Sequence, residues 1–209
     1  DCLDSYFWDG LSMKIYYIAT ANAVVRSVME ALKTKQIVRV LELGARIGGL
    51  TRFIVSQLAD YGLANRLEYV FTDVSTTFFG QARKNLSAYP FVQYQLLSVE
   101  KDVVDQGFVP WSFDIVICLD TLHVAVDARR STRFMSDLLA DEGVMYLLEG
   151  TNSHYLTELW FGCMDVCLVF DDERTEVGKK SCWFHREGWL TVMRDVGLQD
   201  VISVSSPKE

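Results

Sequence analysis

Val40-Leu41-Glu42-Leu43-Gly44-Ala45-Arg46-Ile47-Gly48-Gly49 is the stretch on which the fold turns. Residues 37–43 read as a strand buried on both faces, because apolar side chains dominate a run of strand length. Residues 44–49 form a turn, and residues 50–61 carry apolar side chains at helical spacing. A glycine turn between strand and helix lets backbone approach a nucleotide-like ligand and aims the helix start at it. Glycine also serves helix–strand packing, so the turn takes its weight from the strand before it and the helix after it.

Outward from that unit the pattern repeats. Residues 12–33 place Ile15, Ile18, Val24, Val28 and Leu32 at helical spacing and predict an opening helix. Further strands are expected at 67–73, 92–97, 113–119 and 144–149, with helices near 76–87 and 126–139. Strands separated by helices imply an α/β fold with a mostly parallel sheet covered on both faces. Beyond Glu149 the pattern predicts a helix over 155–169, a strand over 181–184, a helix over 186–196 and a strand over 200–204. That last pair of strands would complete a seven-stranded sheet. Only three prolines occur, and no repeat or linker interrupts the pattern. One domain is therefore expected over 1–209, made of a helical region (1–35), a cofactor half (36–150) and a substrate-side half (151–209).

Composition removes several function classes. The formal net charge of −8 and the lack of a Lys/Arg cluster argue against nucleic acid, whose phosphates need a basic face. The pairs Arg129–Arg130 and Lys179–Lys180 read as solvated surface. No apolar run has the length to cross a bilayer, and no signal segment opens the chain, so no membrane partner is expected. The start at Asp1 and the polar end are those expected of a domain cut from a longer chain. The five cysteines are irregularly spaced, which suits a reducing cytoplasm better than a disulfide framework. Cys163 and Cys167 lie four apart, but their apolar neighbours Trp160, Phe161, Met164 and Val166 mark them as buried small hydrophobes. No metal site is expected.

Asp73 closes the second strand in Tyr69-Val70-Phe71-Thr72-Asp73-Val74-Ser75. A carboxylate there can accept hydrogen bonds from both hydroxyls of a ribose, although its separation from Gly44 exceeds the roughly 20 residues usual in dinucleotide folds. The competing reading is that Asp73 caps the next helix.

These residues, together with Phe78-Phe79, Phe113-Asp114-Ile115-Val116-Ile117, Leu122-His123 and Leu147-Leu148-Glu149, resemble the C-methyltransferase domains of polyketide synthases. The likeness runs from about Met13 to Val201 and includes Gly188-Trp189-Leu190 and Asp195-Val196-Gly197-Leu198. It implies a Rossmann-like class I methyltransferase fold that uses S-adenosylmethionine. It further implies an acyl carrier protein bearing a β-ketoacyl chain as partner, with other synthase domains as neighbours in the same polypeptide. Carried over by position, His123 and Glu149 form the catalytic dyad, and Gly44, Ala45, Gly48, Asp73, Ser98 and Asp120 contact the cofactor. The chemistry suits that assignment. The α-carbon between two carbonyls is acidic, an imidazole can take its proton, and a carboxylate can fix the imidazole tautomer. His154 and His185 lack such a partner and read as surface or packing residues.

The chain departs from the family at Arg46, where a second glycine is usual, at Ser98, where an acidic residue usually meets the adenine amine, and at Asp120, where Asn is usual. A long side chain in the turn obstructs the methionine end of the cofactor, points to solvent or meets the cofactor's carboxylate. The family's N-terminal lid is not visible. These departures support an alternative, a catalytically inactive pseudo-methyltransferase serving as a structural domain of the synthase. An oxygen or nitrogen acceptor would keep the fold and His123 and change the substrate.

Overall fold

The computed structural model describes residues 8–151, 170–172, 174 and 183–204. Helix α1 (Leu11–Ala31) buries Tyr17, Ala21, Val24 and Val28, the stripe a helix needs to lie on a sheet. Strands and helices then alternate as β1 (Val38–Leu43), α2 (Thr51–Asp60), β2 (Leu67–Asp73), α3 (Thr77–Asn85), β3 (Val92–Leu96) and β4 (Phe113–Leu119). They are followed by α4 (Ala128–Ser136), β5 (Leu139–Leu148) and α5 (Arg186–Asp195). All strand pairs are parallel, in the order β3-β2-β1-β4-β5. The chain builds outward from β1 to β3 and then crosses to the other side of β1. Such a Rossmann-like sheet binds ligands above the C-terminal strand ends, where the order reverses between β1 and β4.

Successive strand residues feed opposite cores. Val38, Val40, Tyr69, Phe71, Ile115 and Ile117 join Val24 and Val28 of α1 and Ile54 and Leu58 of α2. Leu41, Leu43, Val70, Val116 and Cys118 join Met135 of α4 with Trp189 and Val192 of α5. Each fully buried Leu, Ile or Val contributes roughly 1.5–3 kcal/mol of transfer free energy, which is what pins the strand register. Burial pushes the Cys118 thiol up, so it acts as core filling rather than as a nucleophile.

Two expectations need correction. β5 begins at Leu139 rather than 144, and α4 stops at Ser136. Phe113 pairs with Leu139 and Ile115 with Val144, so residues 140–143 bulge out of the strand. Asp141, Glu142 and Gly143 look like a loop because they are polar, and Glu142 takes a φ of 62° within this irregularity. Secondly, the sheet among the described residues has five strands, not seven. Residues 201–204 join no helix and no strand, with Ile202 and Val204 exposed. An apolar run becomes a strand only when a neighbour takes up its amides and carbonyls. Of the strand expected at 181–184, residues 181 and 182 lie outside the described residues, and Trp183 and Phe184 pair with no strand. The helix expected at 155–169 also lies outside them. No described helix is long and apolar enough to cross a membrane.

Candidate functional site

The turn after β1 rests on left-handed backbone, with φ 69° at Gly44 and 89° at Gly48. Space is as restrictive as conformation at Gly44. A Cβ there would overlap the Thr121 hydroxyl oxygen and lie 3.0 Å from the Leu119 carbonyl oxygen. Gly44→Ala is expected to destabilise the chain by about 2–5 kcal/mol, from strain and overlap together, read as a fall in the urea midpoint. Adding Thr121→Ala returns only the overlap part; if it returns nothing, the steric account fails.

Arg46 sits in the same turn at φ 51°, a conformation that costs a side chain roughly 1–2 kcal/mol. Its amide donates to Asp73 Oδ2 at 3.1 Å, and the Ala45 amide donates to the Thr72 carbonyl at 3.1 Å. The turn is thereby stitched to the end of β2. Within residues 44–49 only Arg46 is not buried, so Gly44, Ala45 and Gly48 lie beneath the surface. The Arg46 guanidinium lies within electrostatic reach of Asp73, Asp120 and His123.

Asp73 is nearly buried, and its other oxygen accepts the Ser75 amide at 3.1 Å. Burial raises its pKa, against the amides of Ser75 and Arg46, which lower it. It does not cap α3, since Thr76 holds the N-cap position and Ser75 Oγ accepts the Thr77 amide at 3.2 Å. Its carboxylate meets three amides, those of Arg46, Ser75 and Val74, fewer than the roughly four bonds it can accept, so capacity for ligand hydroxyls remains. Ser98 lies just past β3 and is tied into its own loop. Its amide meets Gln106 Oε1 at 2.7 Å, and its hydroxyl accepts the Glu100 amide at 3.3 Å.

Beyond β4 the chain reaches Asp120, at φ 45°, and then His123 in the short helical turn Leu122–Val124. His123 Nδ1 lies 2.7 Å from Glu149 Oε2, just past the end of β5. Glu149 Oε1 accepts the amides of Thr121 at 2.8 Å and Leu122 at 2.7 Å, and its side chain is only 1% exposed. A carboxylate fixed in this way keeps the imidazole proton on Nδ1 and leaves the Nε2 lone pair for proton transfer. Asp120 Oδ1 lies 3.5 Å from the same Nδ1. Burial draws the imidazole pKa down, but the Glu149 charge and hydrogen bond and the Asp120 charge outweigh it against Arg46, so the net shift is upward from 6.5. Ligand atoms of Asp120, His123 and Glu149 also lie within 4.8 Å of one another, close enough for a cation. Both Glu149 oxygens are already engaged, and the arrangement serves the imidazole.

Several neighbours carry no signal in the local sequence pattern. Trp183 stacks on the His123 ring, with centroids 4.6 Å apart and planes at 18°. Buried Arg174 donates to the carbonyls of His123 at 2.5 Å and Ala125 at 2.6 Å, and pairs with Asp172. Glu42 is a fully buried carboxylate two residues before Gly44, and a charge inside an apolar strand was the one available clue to it. His185 is exposed at the start of α5, while His154, Cys163, Cys167 and the Lys179–Lys180 pair lie outside the described residues.

A family model described as a methyltransferase domain matches residues 41–145. The non-reducing polyketide synthase esdpA of Penicillium shearii is 34% identical over 171 residues, covering 82% of this chain and 7% of that synthase. The chain thus spans a small fraction of the relative it matches. Among solved structures, the CurJ carbon methyltransferase superposes with a TM-score of 0.87 at 27% identity, over 97% of this chain and 52% of that one. The citrinin polyketide synthase CMeT domain gives 0.70 at 27% identity, over 78% of this chain and 41% of that one.

Proposed function

The chain belongs to the methyltransferase domain family, and from that premise we propose that it is the C-methyltransferase unit of a polyketide synthase. Its substrate is the α-carbon of a β-ketoacyl thioester on an acyl carrier protein, and the remaining synthase domains are its neighbours. The observation that carries this reading is the His123–Glu149 pair, 2.7 Å apart at the ligand-binding edge of a parallel sheet. His123 Nε2 takes the α-proton, and the C–H pair is left as an enolate shared by two carbonyls. Glu149 steadies the imidazolium that forms.

S-adenosylmethionine, when bound, would supply an electrophilic methyl group on a positively charged sulfur able to leave with the C–S electron pair. The residues present fit that cofactor: Asp73 keeps acceptor capacity for ribose hydroxyls, and Gly44, Ala45, Gly48, Ser98 and Asp120 surround the same strand ends. In this reading residues 36–150 hold cofactor and residues 151–209 face substrate.

A second reading, a catalytically inactive structural domain, is favoured by the setting of Arg46. Arg46 is the one unburied residue of the turn, and its charge acts on Asp73 and Asp120, two of the groups assigned to cofactor. Calorimetric titration of the 209-residue chain with S-adenosylmethionine separates the two. Binding is expected, and Arg46→Gly is expected to tighten it by roughly tenfold, about 1.4 kcal/mol. Absence of heat from both proteins would leave the structural reading in place.

A further inference from the structure

We propose that Trp183 is a positioning residue that fixes the plane of the His123 imidazole, with Gly150 present to let the indole lie there. This rests on His123 being the base. The hydrogen bond from Nδ1 to Glu149 sets one edge of the ring, but its angular tolerance permits small rotations of the ring about the Cα–Cβ and Cβ–Cγ bonds. Such rotation sweeps Nε2 through an arc and spoils its aim at an α-proton. A flat partner held against the ring face removes that freedom, and the indole meets the imidazole at 4.6 Å and 18°.

The neighbours show that the stack is built rather than incidental. At Gly150, one residue past Glu149, a Cβ would run into the indole, with its Cε3 at 2.6 Å. No special φ is required of Gly150, so space for Trp183 is what restricts this position. From below, Arg174 grips the carbonyls of His123 and Ala125 and is itself held by Asp172, whose Oδ2 accepts the Ala128 amide at 3.0 Å. Backbone, ring edge and ring face of the base are therefore each held by a different residue.

The test compares Trp183→Leu, Trp183→Phe and Gly150→Ala in the full chain, each with two readouts. The first is the carbon-bound proton resonances of the His123 ring, which an indole stacked face to face moves upfield. The second is steady-state methyl transfer to a β-ketoacyl pantetheine thioester. Trp183→Leu is expected to abolish the upfield shift and lower kcat on the order of 10- to 100-fold while leaving KM for S-adenosylmethionine unchanged. Phe keeps a flat face and is expected to restore most of kcat. Gly150→Ala displaces the indole without altering it and is expected to act like Leu. The proposal is overturned if Trp183→Leu loses the upfield shift yet keeps wild-type kcat, or if the loss falls on KM for the cofactor. If His123→Ala transfers methyl normally, the base assignment and this proposal fall together, whereas the upfield shift reports the stack whatever the activity.

Discussion

His123→Ala is expected to lower the rate of methyl transfer to a β-ketoacyl thioester by roughly 10²–10⁴-fold, the usual worth of a positioned proton acceptor. Binding of S-adenosylmethionine should persist, because of the groups assigned to it only Asp120 neighbours His123, and the rest lie on the turn after β1 and at the ends of β2 and β3. The pH profile gives a stricter test. His123 acts only when Nε2 is free of a proton, so the rate should rise with pH through the His123 pKa. That pKa lies above the ordinary 6.5: burial lowers it, but the charges of Glu149 and Asp120 overcome burial and the opposing Arg46. Glu149→Gln removes the largest raising charge, so the acid limb should move to lower pH even as the maximal rate falls. Asp120→Asn should move it the same way by less, and Asn tolerates the left-handed backbone found there. An acid limb that stays fixed in Glu149→Gln would show that another group limits the rate. Full retention of transfer in His123→Ala would remove the base assignment altogether.

The sheet was the most legible part of the chain, for a physical reason. β2 and β4 fall at the expected residues because parallel strands are buried on both faces, so their apolar runs begin and end abruptly. β5 was legible only in its second half, because a polar bulge can look like a loop until the pairing of Phe113 with Leu139 is seen. Within the site, position on the strand ends and family resemblance brought His123, Glu149, Asp73 and Gly44 into view. What surrounds the imidazole did not follow from either. Arg174 lies 51 residues beyond His123 and Trp183 further still, and neither belongs to a local period that points back at the ring. The setting of Arg46 was also hidden: its side chain was expected to obstruct the cofactor, to point to solvent or to meet the cofactor's carboxylate, and its charge acts on Asp73, Asp120 and His123.

Glu42→Gln is expected to remove a large part of the pH dependence of stability between pH 4.5 and 8. Glu42 lies on β1 with no solvent exposure; its Oε2 accepts the Thr51 hydroxyl at 2.7 Å and the Tyr69 hydroxyl at 2.6 Å. Its Oε1 has no hydrogen-bond partner among the described residues. Burial is the dominant influence and raises the pKa from 4.5 to about 7, although both hydroxyls pull it down. A raised folded pKa means that the neutral form is the one the fold accommodates. Below 4.5 the residue is neutral folded and unfolded, and its contribution is fully present. Between 4.5 and about 7 the unfolded chain ionises while the folded chain does not, so stability falls as pH rises. Above about 7 the loss is complete. Its size is about 3 kcal/mol, a large share of the roughly 5–15 kcal/mol that holds a domain together. Gln keeps an acceptor for Thr51 and Tyr69 and carries no proton to lose. His123 also has a raised pKa and adds a slope of the same sign, so the informative quantity is the difference between wild type and Glu42→Gln. Urea midpoints at pH 5, 6, 7 and 8 should diverge, the variant gaining on the wild type at each step. Parallel midpoints across that range would mean that Glu42 is ionised in the fold, with its charge met by a group other than Thr51 and Tyr69.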